Sequence, residues 1–87
     1  MKRIANKVAV QTLMYSTDPM IDIRIYDRET MFDKNPKLLY EGRKLDFSRL
    51  GYEVLNGVSV LKIMSSSVKH LTIKDGYLEI TIDSKFD

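Results

Sequence analysis

The chain has 87 residues, of which 44% are hydrophobic and 30% charged, with a formal net charge of +2 and no cysteine. This length predicts one small domain spanning residues 1–87, with a hydrophobic core of limited size. The lack of cysteine excludes disulfides, thiolate catalysis and cysteine-bound zinc, and the polar start argues against a signal peptide, so we expect a cytoplasmic protein with no membrane partner.

The excess positive charge is concentrated near the start of the chain. Lys2, Arg3 and Lys7 give the first ten residues a charge of +3 without an acid. The other 11 Lys and Arg residues and all 12 Asp and Glu residues are interspersed along residues 11–87. A nucleic-acid binder usually has a strongly basic face. The sequence therefore predicts a basic terminal segment at residues 1–6 and a nearly neutral body, for which direct nucleic-acid binding is the less expected function.

The first half of the chain predicts two strands and one ambiguous segment. Residues 6–15 fit either a strand or a helix, and β-branched side chains at alternate positions favour the strand. After a turn at residues 16–19, three isoleucines in residues 21–25 alternate with polar side chains, which predicts a half-buried strand. Another short strand is expected at residues 37–41, closed by Gly42.

The segment between these strands, residues 27–36, has no periodicity and predicts a long loop. Met31 and Phe32 near its centre either fold back onto the core, which we favour, or contact a partner. Three acids of the loop do not match the spacing of a calcium-binding loop, so we expect them to be solvated rather than to bind a metal. They are Asp27, Glu29 and Asp33.

The second half of the chain predicts a short helix followed by two hairpins. Residues 45–51 fit one helical turn, with Asp46 as N-cap and Gly51 ending it in the left-handed region. An Asn-Gly pair at 56–57 then joins two strands, and the second, residues 58–64, has apolar residues on both faces as a central strand does. A small core and such a strand together predict burial between copies, so we expect a homo-oligomer, a dimer at least.

The clearest element is the hairpin of residues 69–82, KHLTIKDGYLEITI. Apolar and polar residues alternate on both sides of Asp75-Gly76, a pair that tolerates the positive φ angles of a two-residue turn. A four-residue loop preserves the same register, so the turn type stays open. One face is apolar and expected to be buried, and a slip of one residue would mix the two faces. The predicted pairs are Leu71 with Ile80, Thr72 with Glu79, Ile73 with Leu78, and Lys74 with Tyr77.

These elements together predict a β-dominated α+β fold. We expect a small, mostly antiparallel sheet of about five strands and one short helical segment. One face of the sheet is expected to be covered by that helix and the long loop, or by another subunit.

The chain contains few groups suited to catalysis. It has a single histidine, no cysteine and no glycine-rich phosphate loop. His70 falls on the polar face of the last hairpin, where a solvated side chain is expected. We therefore expect no enzyme activity, no catalytic residue, no metal and no cofactor.

Seven residues are candidates for contact with a partner. The polar face of the C-terminal hairpin combines aromatic and charged side chains, and Tyr77 is expected to anchor the contact unless it only lies across Lys74 as a cross-strand neighbour. Tyr26 has a similar position between Arg24 and Arg28. Aromatic residues beside cations are also what a platform for single-stranded nucleic acid requires. The candidates are Tyr77, Lys74, His70, Glu79 and Tyr26, with Met31 and Phe32 of the loop as a second region.

Two stretches, IDIRIYDRETMFDKNPKLLYEG and VKHLTIKDGYLEITI, carry a likeness to a group of known proteins. A strand that ends in Tyr-Asp, a variable loop, a Tyr-x-Gly strand and a closing Asp-Gly-x-Leu-x-Ile hairpin resemble small accessory proteins of phages and prophages of Gram-positive bacteria. The resemblance covers residues 20–82 and involves framework positions, so it transfers no functional residue.

The resemblance implies a non-enzymatic protein that binds and inhibits a host macromolecule. Anti-CRISPR proteins belong to this group, so the implied partner is a defence protein or ribonucleoprotein in the host cytoplasm. Two alternatives follow from the residues alone: a small module that binds single-stranded nucleic acid, and a self-assembling structural component.

Overall fold

The computed structural model describes residues 8–28 and 34–85, which form three short helices and six strands. The predicted basic terminal segment and the candidates Met31 and Phe32 lie outside the described residues. In chain order the elements are α1 (Val10–Ser16), β1 (Asp22–Asp27), β2 (Lys37–Arg43), α2 (Lys44–Ser48), β3 (Val54–Leu55), β4 (Val58–Ser59), α3 (Val60–Ser65), β5 (His70–Lys74) and β6 (Tyr77–Ile82).

The strands form a four-stranded sheet in the order β2-β1-β6-β5 and a separate hairpin of β3 and β4. Strand β1 is parallel to β6, while the β1–β2 and β5–β6 pairs are antiparallel. The predicted β-rich character is confirmed, but the sheet is mixed. The described residues contain six strands and three helices, where we expected about five strands and one helical segment. Alternating side chains look the same in parallel and antiparallel strands, so the sequence of β1 does not reveal its parallel neighbour.

Helix α1 occupies the segment whose sequence fits either a strand or a helix. Val10 and Met14 lie one turn apart and are both buried, and Leu13 packs against the same core. The β-branched side chains supply only a weak preference, which burial of one helical face outweighs. The strand that we favoured for residues 6–15 is therefore wrong from Val10 onward.

Helix α3 replaces most of the central strand predicted at residues 58–64. Strand β4 ends at Ser59, whose Oγ accepts a hydrogen bond from the backbone nitrogen of Lys62 at 3.1 Å and caps the helix. Val60 and Ile63, three residues apart, are then buried together. The apolar residues on both faces of the predicted strand are thus explained by a short strand followed by an amphipathic turn.

Helix α2 starts at Lys44, one residue before the predicted boundary, and ends at Ser48 with Arg49 as its C-cap. Gly51 has the expected positive φ of 64°, but the prediction that it ends the helix is wrong. Its N-cap is Arg43, without a side-chain cap, so the predicted capping role of Asp46 is wrong. Asp46 lies instead in the first turn, where its negative charge favours the helix dipole. Strand β2 correspondingly runs through Gly42 to Arg43 rather than closing at Gly42.

Lys44 joins α2 to the end of α1. The residue is only 5% exposed. Its Nζ donates to the Met14 carbonyl oxygen at 2.7 Å, to Thr17 Oγ1 at 3.0 Å and to the Thr17 carbonyl oxygen. Helix α1 has no basic residue in its own last turn, and the oxygen atoms there have no partner within the helix. Lys44 therefore supplies the cation that this helix end favours.

The hydrophobic core lies on one face of the large sheet. Isoleucines at alternate positions of the two parallel strands meet the buried ring of Phe47 from α2, and Tyr40 packs against that ring at 5.0 Å between centroids. On the two central strands, β1 and β6, the buried isoleucines all lie on this face. The buried core consists of Val10, Met14, Ile23, Ile25, Leu39, Phe47, Val58, Val60, Ile63, Ile80 and Ile82.

The C-terminal hairpin has the predicted register in all four pairs. Asp75 and Gly76 have φ angles of 55° and 82°, as a two-residue turn requires. Burial of the apolar face is confirmed only for β6. On β5, Leu71 is 46% exposed and Ile73 is 77% exposed, because this strand is the edge of the sheet and the described core does not extend beneath it.

Candidate binding surface

The side chains that alternate away from the core form a second, polar face of the large sheet. The parallel register places Arg24 of β1 beside Glu79 of β6, and the hairpin register places Tyr77 beside Lys74. We call this surface the open face. Its aromatic and charged members are Asp22, Arg24 and Tyr26 of β1, Glu41 and Arg43 of β2, Tyr77 and Glu79 of β6, and His70 and Lys74 of β5, with Asp75 at its rim.

Arg24 is the centre of the open face. Its Nε lies 2.7 Å from Glu41 Oε2, and its Nη1 lies 3.1 Å from Glu79 Oε2 and 3.9 Å from Asp75 Oδ2. The hydrogen bonds to Glu41 and then Glu79 raise the pKa of Arg24 above its ordinary value. A guanidinium group between carboxylates on both neighbouring strands clamps β2, β1 and β6 in register from the polar side.

Tyr26 extends the same network. Its hydroxyl group donates a hydrogen bond to Glu79 Oε2 at 3.3 Å. Desolvation and the negative charge of Glu79 raise the pKa of Tyr26, so the phenol stays protonated as a donor. The Glu79 side chain is only 14% exposed, so little water competes with the two groups that donate to it, the Tyr26 hydroxyl and Arg24 Nη1.

Tyr77 packs on Arg24 and is also the cross-strand neighbour of Lys74. The guanidinium carbon of Arg24 is 3.9 Å from the centroid of the Tyr77 ring, a cation–π contact that leaves the tyrosine half-buried. Lys74 and His70 are exposed beside it. The open face thus has Tyr77 packed on Arg24 near its centre, and its exposed charged side chains lie at the edge strand.

The charge of the open face is slightly negative. Arg24, Arg43 and Lys74 are its cations, and they are outnumbered by the carboxylates of Asp22, Glu41, Glu79 and Asp75. Arg24 is itself paired with these carboxylates. A surface of this kind attracts phosphate groups poorly, since affinity for nucleic acid depends on cations that are free to displace counterions.

Five of the seven predicted contact residues come together on this face: Tyr77, Lys74, His70, Glu79 and Tyr26. His70 is exposed, as predicted for a solvated histidine. The central role of Arg24 and the contribution of Glu41 are not evident from the sequence. Arginine at a polar position of a strand is a weak signal by itself, and its carboxylate partners are 17 and 55 residues away along the chain.

A separate polar cluster joins the ends of β1 and β6. Asp27 is fully buried, and it accepts hydrogen bonds from the backbone nitrogen of Ser84 at 2.9 Å and from Ser84 Oγ at 2.5 Å. Arg28 donates two hydrogen bonds to Asp83, at 2.8 and 3.0 Å. The prediction that Asp27 is solvated is therefore wrong, because the strand carries it under the end of β6.

These contacts make the second cluster a structural clamp. Each of its carboxylates already receives two hydrogen bonds from the neighbouring segment, which offsets the cost of burial. Across residues 8–28 and 34–85, no group of three or more histidine, cysteine or acidic residues is placed to hold a metal ion. In the same ranges, no helix has the length and apolar character needed to span a membrane.

Comparison of the chain with protein-family models, with curated proteins and with solved structures gives no match.

Proposed function

We propose that the protein is a non-enzymatic binding module and that the open face docks a partner protein. The observation that carries this proposal is the Arg24 and Tyr77 stack, held between carboxylates on a sheet face that the described core does not cover. Tyrosine and arginine are the residue types that most often dominate binding energy at protein interfaces. Because the network holds both side chains in place before binding, little conformational entropy is lost when a partner docks.

A protein partner suits this surface better than a nucleic acid. The cations of the open face are outnumbered by acids, and the Tyr77 ring already stacks on Arg24 instead of offering both faces to bases. Exposed Lys74 and His70 next to the acidic centre form a mixed rim typical of protein interfaces. We therefore rank the single-stranded nucleic-acid module below the protein-binding module.

The partner that we propose is a host defence protein or ribonucleoprotein, inhibited by stoichiometric binding in the host cytoplasm. This identification rests on the resemblance of residues 20–82 to phage and prophage accessory proteins. A surface held by preformed contacts suits it, because inhibition by occlusion requires surface complementarity and no reaction chemistry.

The test measures the affinity of a captured partner for the original tagged protein and for two variants of it. The partner is first isolated from lysate of a Gram-positive host and identified by mass spectrometry. Replacing Tyr77 and Lys74 by alanine should then weaken binding by at least about tenfold, the effect of losing roughly 1.4 kcal/mol at an interface. Tyr52→Ala is the matched control, because Tyr52 is 85% exposed and lies outside the open face.

Two results would contradict the proposal. Full affinity in the Tyr77 and Lys74 double variant would move the binding site to another surface. An affinity that falls steeply with salt, in the absence of a protein partner, would favour the nucleic-acid module. Circular dichroism of each variant is the control for folding.

A further inference from the structure

Strand β5 is an edge with nothing paired to its outer side among the described residues. The sheet order leaves two edges, β2 and β5. The β2 edge is interrupted by a bulge opposite Ile25 and Tyr26, and its Leu38 carbonyl oxygen accepts a hydrogen bond from Asn56 Nδ2 at 3.1 Å. In contrast, all five residues of β5 are exposed, and they include two large apolar side chains. Natural proteins usually protect such an edge, because it is a template for another strand.

The direction of the free backbone groups follows from the turn. In a two-residue hairpin the closing pair, here Lys74 and Tyr77, exchanges both backbone hydrogen bonds, and bonded pairs alternate from there. The backbone groups of Thr72 therefore point toward β6. Those of Leu71 and Ile73 point outward, which leaves two donors and two acceptors along this edge.

The length of the free edge is also defined. Upstream of β5, the Val10 nitrogen donates to the Ser66 carbonyl at 2.9 Å and the Val68 nitrogen donates to the Val8 carbonyl at 2.8 Å, so this part of the edge is already paired. Downstream, the edge ends at the turn. Among residues 8–28 and 34–85, the stretch of this edge without a paired strand is therefore β5 itself, His70–Lys74.

We propose that two copies of the chain pair through β5 as antiparallel strands, around a two-fold axis at Thr72. In this register Leu71 lies opposite Ile73 of the partner subunit, and Thr72 lies opposite Thr72 of the partner subunit. The outward groups of Leu71 and Ile73 then meet those of the second copy and form four backbone hydrogen bonds. An interface of this type is isologous, as closed dimers require.

Side chains select this register over its symmetric neighbours. Axes at Leu71 or Ile73 leave one end of β5 unpaired, whereas the axis at Thr72 pairs all five residues. The axis at Thr72 places apolar side chains opposite apolar side chains, threonine opposite threonine, and Lys74 opposite His70 of the partner subunit. The two copies of Lys74 are thereby kept apart, which avoids direct repulsion between like charges.

The apolar side of the edge supports the same arrangement. Leu71 lines a groove of about 330 Å³ with Val8, Leu13 and Val68. Ile73 lines a second groove of about 380 Å³, whose wall is mainly apolar. Pairing at Thr72 puts Ile73 of the partner subunit beside Leu71, at the first groove. By the two-fold symmetry, Ile73 lies beside Leu71 of the partner subunit, at the equivalent groove of the second copy. Two exposed apolar side chains per copy thus become neighbours in one continuous strip.

The pairing does not depend on the proposed function. It would build an eight-stranded sheet from two four-stranded ones, with both open faces on the same side. The dimer that we expected from the sequence rested on the small core and on a central strand at residues 58–64, which is mostly helical. The basis for a dimer is now the edge strand.

Cysteine cross-linking tests the register directly, because the chain has no cysteine of its own. Thr72 forms a non-hydrogen-bonded pair with its copy, with Cα atoms about 4.5 Å apart, within the range of a disulfide. Thr72→Cys should therefore form a covalent dimer of twice the chain mass under mild oxidation. Lys74→Cys is the matched control on the same strand and face, because its copy lies roughly 13 Å away along the strand. A mixture of His70→Cys and Lys74→Cys should give the mixed disulfide.

Ile73→Lys tests the interface without cross-linking. Ile73 is 77% exposed, so the substitution should leave the monomer folded while it puts two ammonium groups into the apolar strip. Sedimentation equilibrium should show the mass of a single chain, 10.1 kDa, for the variant. The original chain should show twice that mass at high concentration. Retained partner binding by a monomeric Ile73→Lys variant would separate this proposal from the function of the open face.

Three outcomes would overturn the pairing. Equal cross-linking of Thr72→Cys and Lys74→Cys would mean random collision. The mass of a single chain at every concentration, with the Leu71 and Ile73 amides protected from hydrogen exchange, would mean that residues 1–7 of the same chain occupy the edge. The same mass with unprotected amides would mean that the edge stays free.

Discussion

Replacing Lys44 by methionine removes an ammonium group while keeping a side chain of similar length. In the folded protein three oxygen atoms would lose their donor: the Met14 carbonyl, the Thr17 carbonyl and Thr17 Oγ1. The contact with Met14 is buried, so no water replaces the lost donor, whereas the contacts with Thr17 are partly buried and their oxygens regain water. The stability change should therefore come mainly from one charged hydrogen bond.

The expected loss in the free energy of unfolding follows from that hydrogen bond. A hydrogen bond to a charged group contributes about 1.5–3 kcal/mol, and methionine avoids the cost of desolvating an ammonium group, so Lys44→Met should lower the free energy of unfolding by about 2 kcal/mol. For a domain of this size, that loss corresponds to a fall in Tm of about 10 °C. Lys34→Met is the control, because Lys34 is exposed and should change stability by less than about 0.5 kcal/mol.

Urea denaturation followed by circular dichroism measures both variants, with an unchanged m-value as the sign that only stability has changed. A double-mutant cycle with Thr17→Val should give a coupling of about 0.5–1.5 kcal/mol, because the two side chains share one contact. If Lys44→Met unfolds at the same urea concentration as Lys34→Met, the ammonium group does not stabilise the end of α1. The account of Lys44 as a helix cap would then be wrong.

Three further substitutions give expected outcomes. Gly76→Val should lower the free energy of unfolding, measured by urea denaturation, by roughly 1–3 kcal/mol, because a β-branched residue is strained at a φ of 82°. The control Thr72→Val, on the adjacent strand, should change it little. An unchanged urea midpoint for Gly76→Val would contradict the two-residue turn. Ser84→Ala should lower the free energy of unfolding by about 1–2 kcal/mol, because it removes the hydroxyl donor at 2.5 Å from the buried Asp27 carboxylate. Stability equal to that of the original chain would mean that water replaces the lost hydroxyl donor. The pKa of Tyr26 is raised in the folded state, so the folded chain keeps the phenol proton at pH values above the ordinary tyrosine pKa of about 10. The free energy of unfolding should therefore fall as the pH rises from about 10 toward the pKa of Tyr26 in the folded chain. Tyr26→Phe should flatten that fall, and an identical pH dependence in the two proteins would refute the assignment.

The elements that sequence patterns identified are those whose partners are close along the chain. The β5–β6 hairpin has the predicted register, because alternation and the Asp75-Gly76 pair act within 14 residues. Of the two turns that the sequence allowed, the structure has the two-residue one. The polar members of that hairpin were therefore placed together correctly. Strand β1 was also found, since its isoleucines alternate without interruption.

The two misassigned helices show where local patterns are insufficient. In α1 and α3 the valine and isoleucine residues have a weak preference for strands, and the choice between strand and helix depends on which residues the rest of the fold buries. Val10 and Met14 of α1 are buried one helical turn apart, and no preference of the individual residues requires that spacing.

The candidate binding surface was also predictable only in part from the sequence. Period-two alternation put Tyr77, Lys74, His70 and Glu79 on one face of the last hairpin, and the structure agrees. Only the tertiary structure brought Arg24 between the carboxylates of Glu41 and Glu79, because parallel pairing of β1 with β6 joins residues 55 positions apart. A strand exposes the same alternating side chains to any neighbour, so its sequence records which face is polar but not which strand lies beside it.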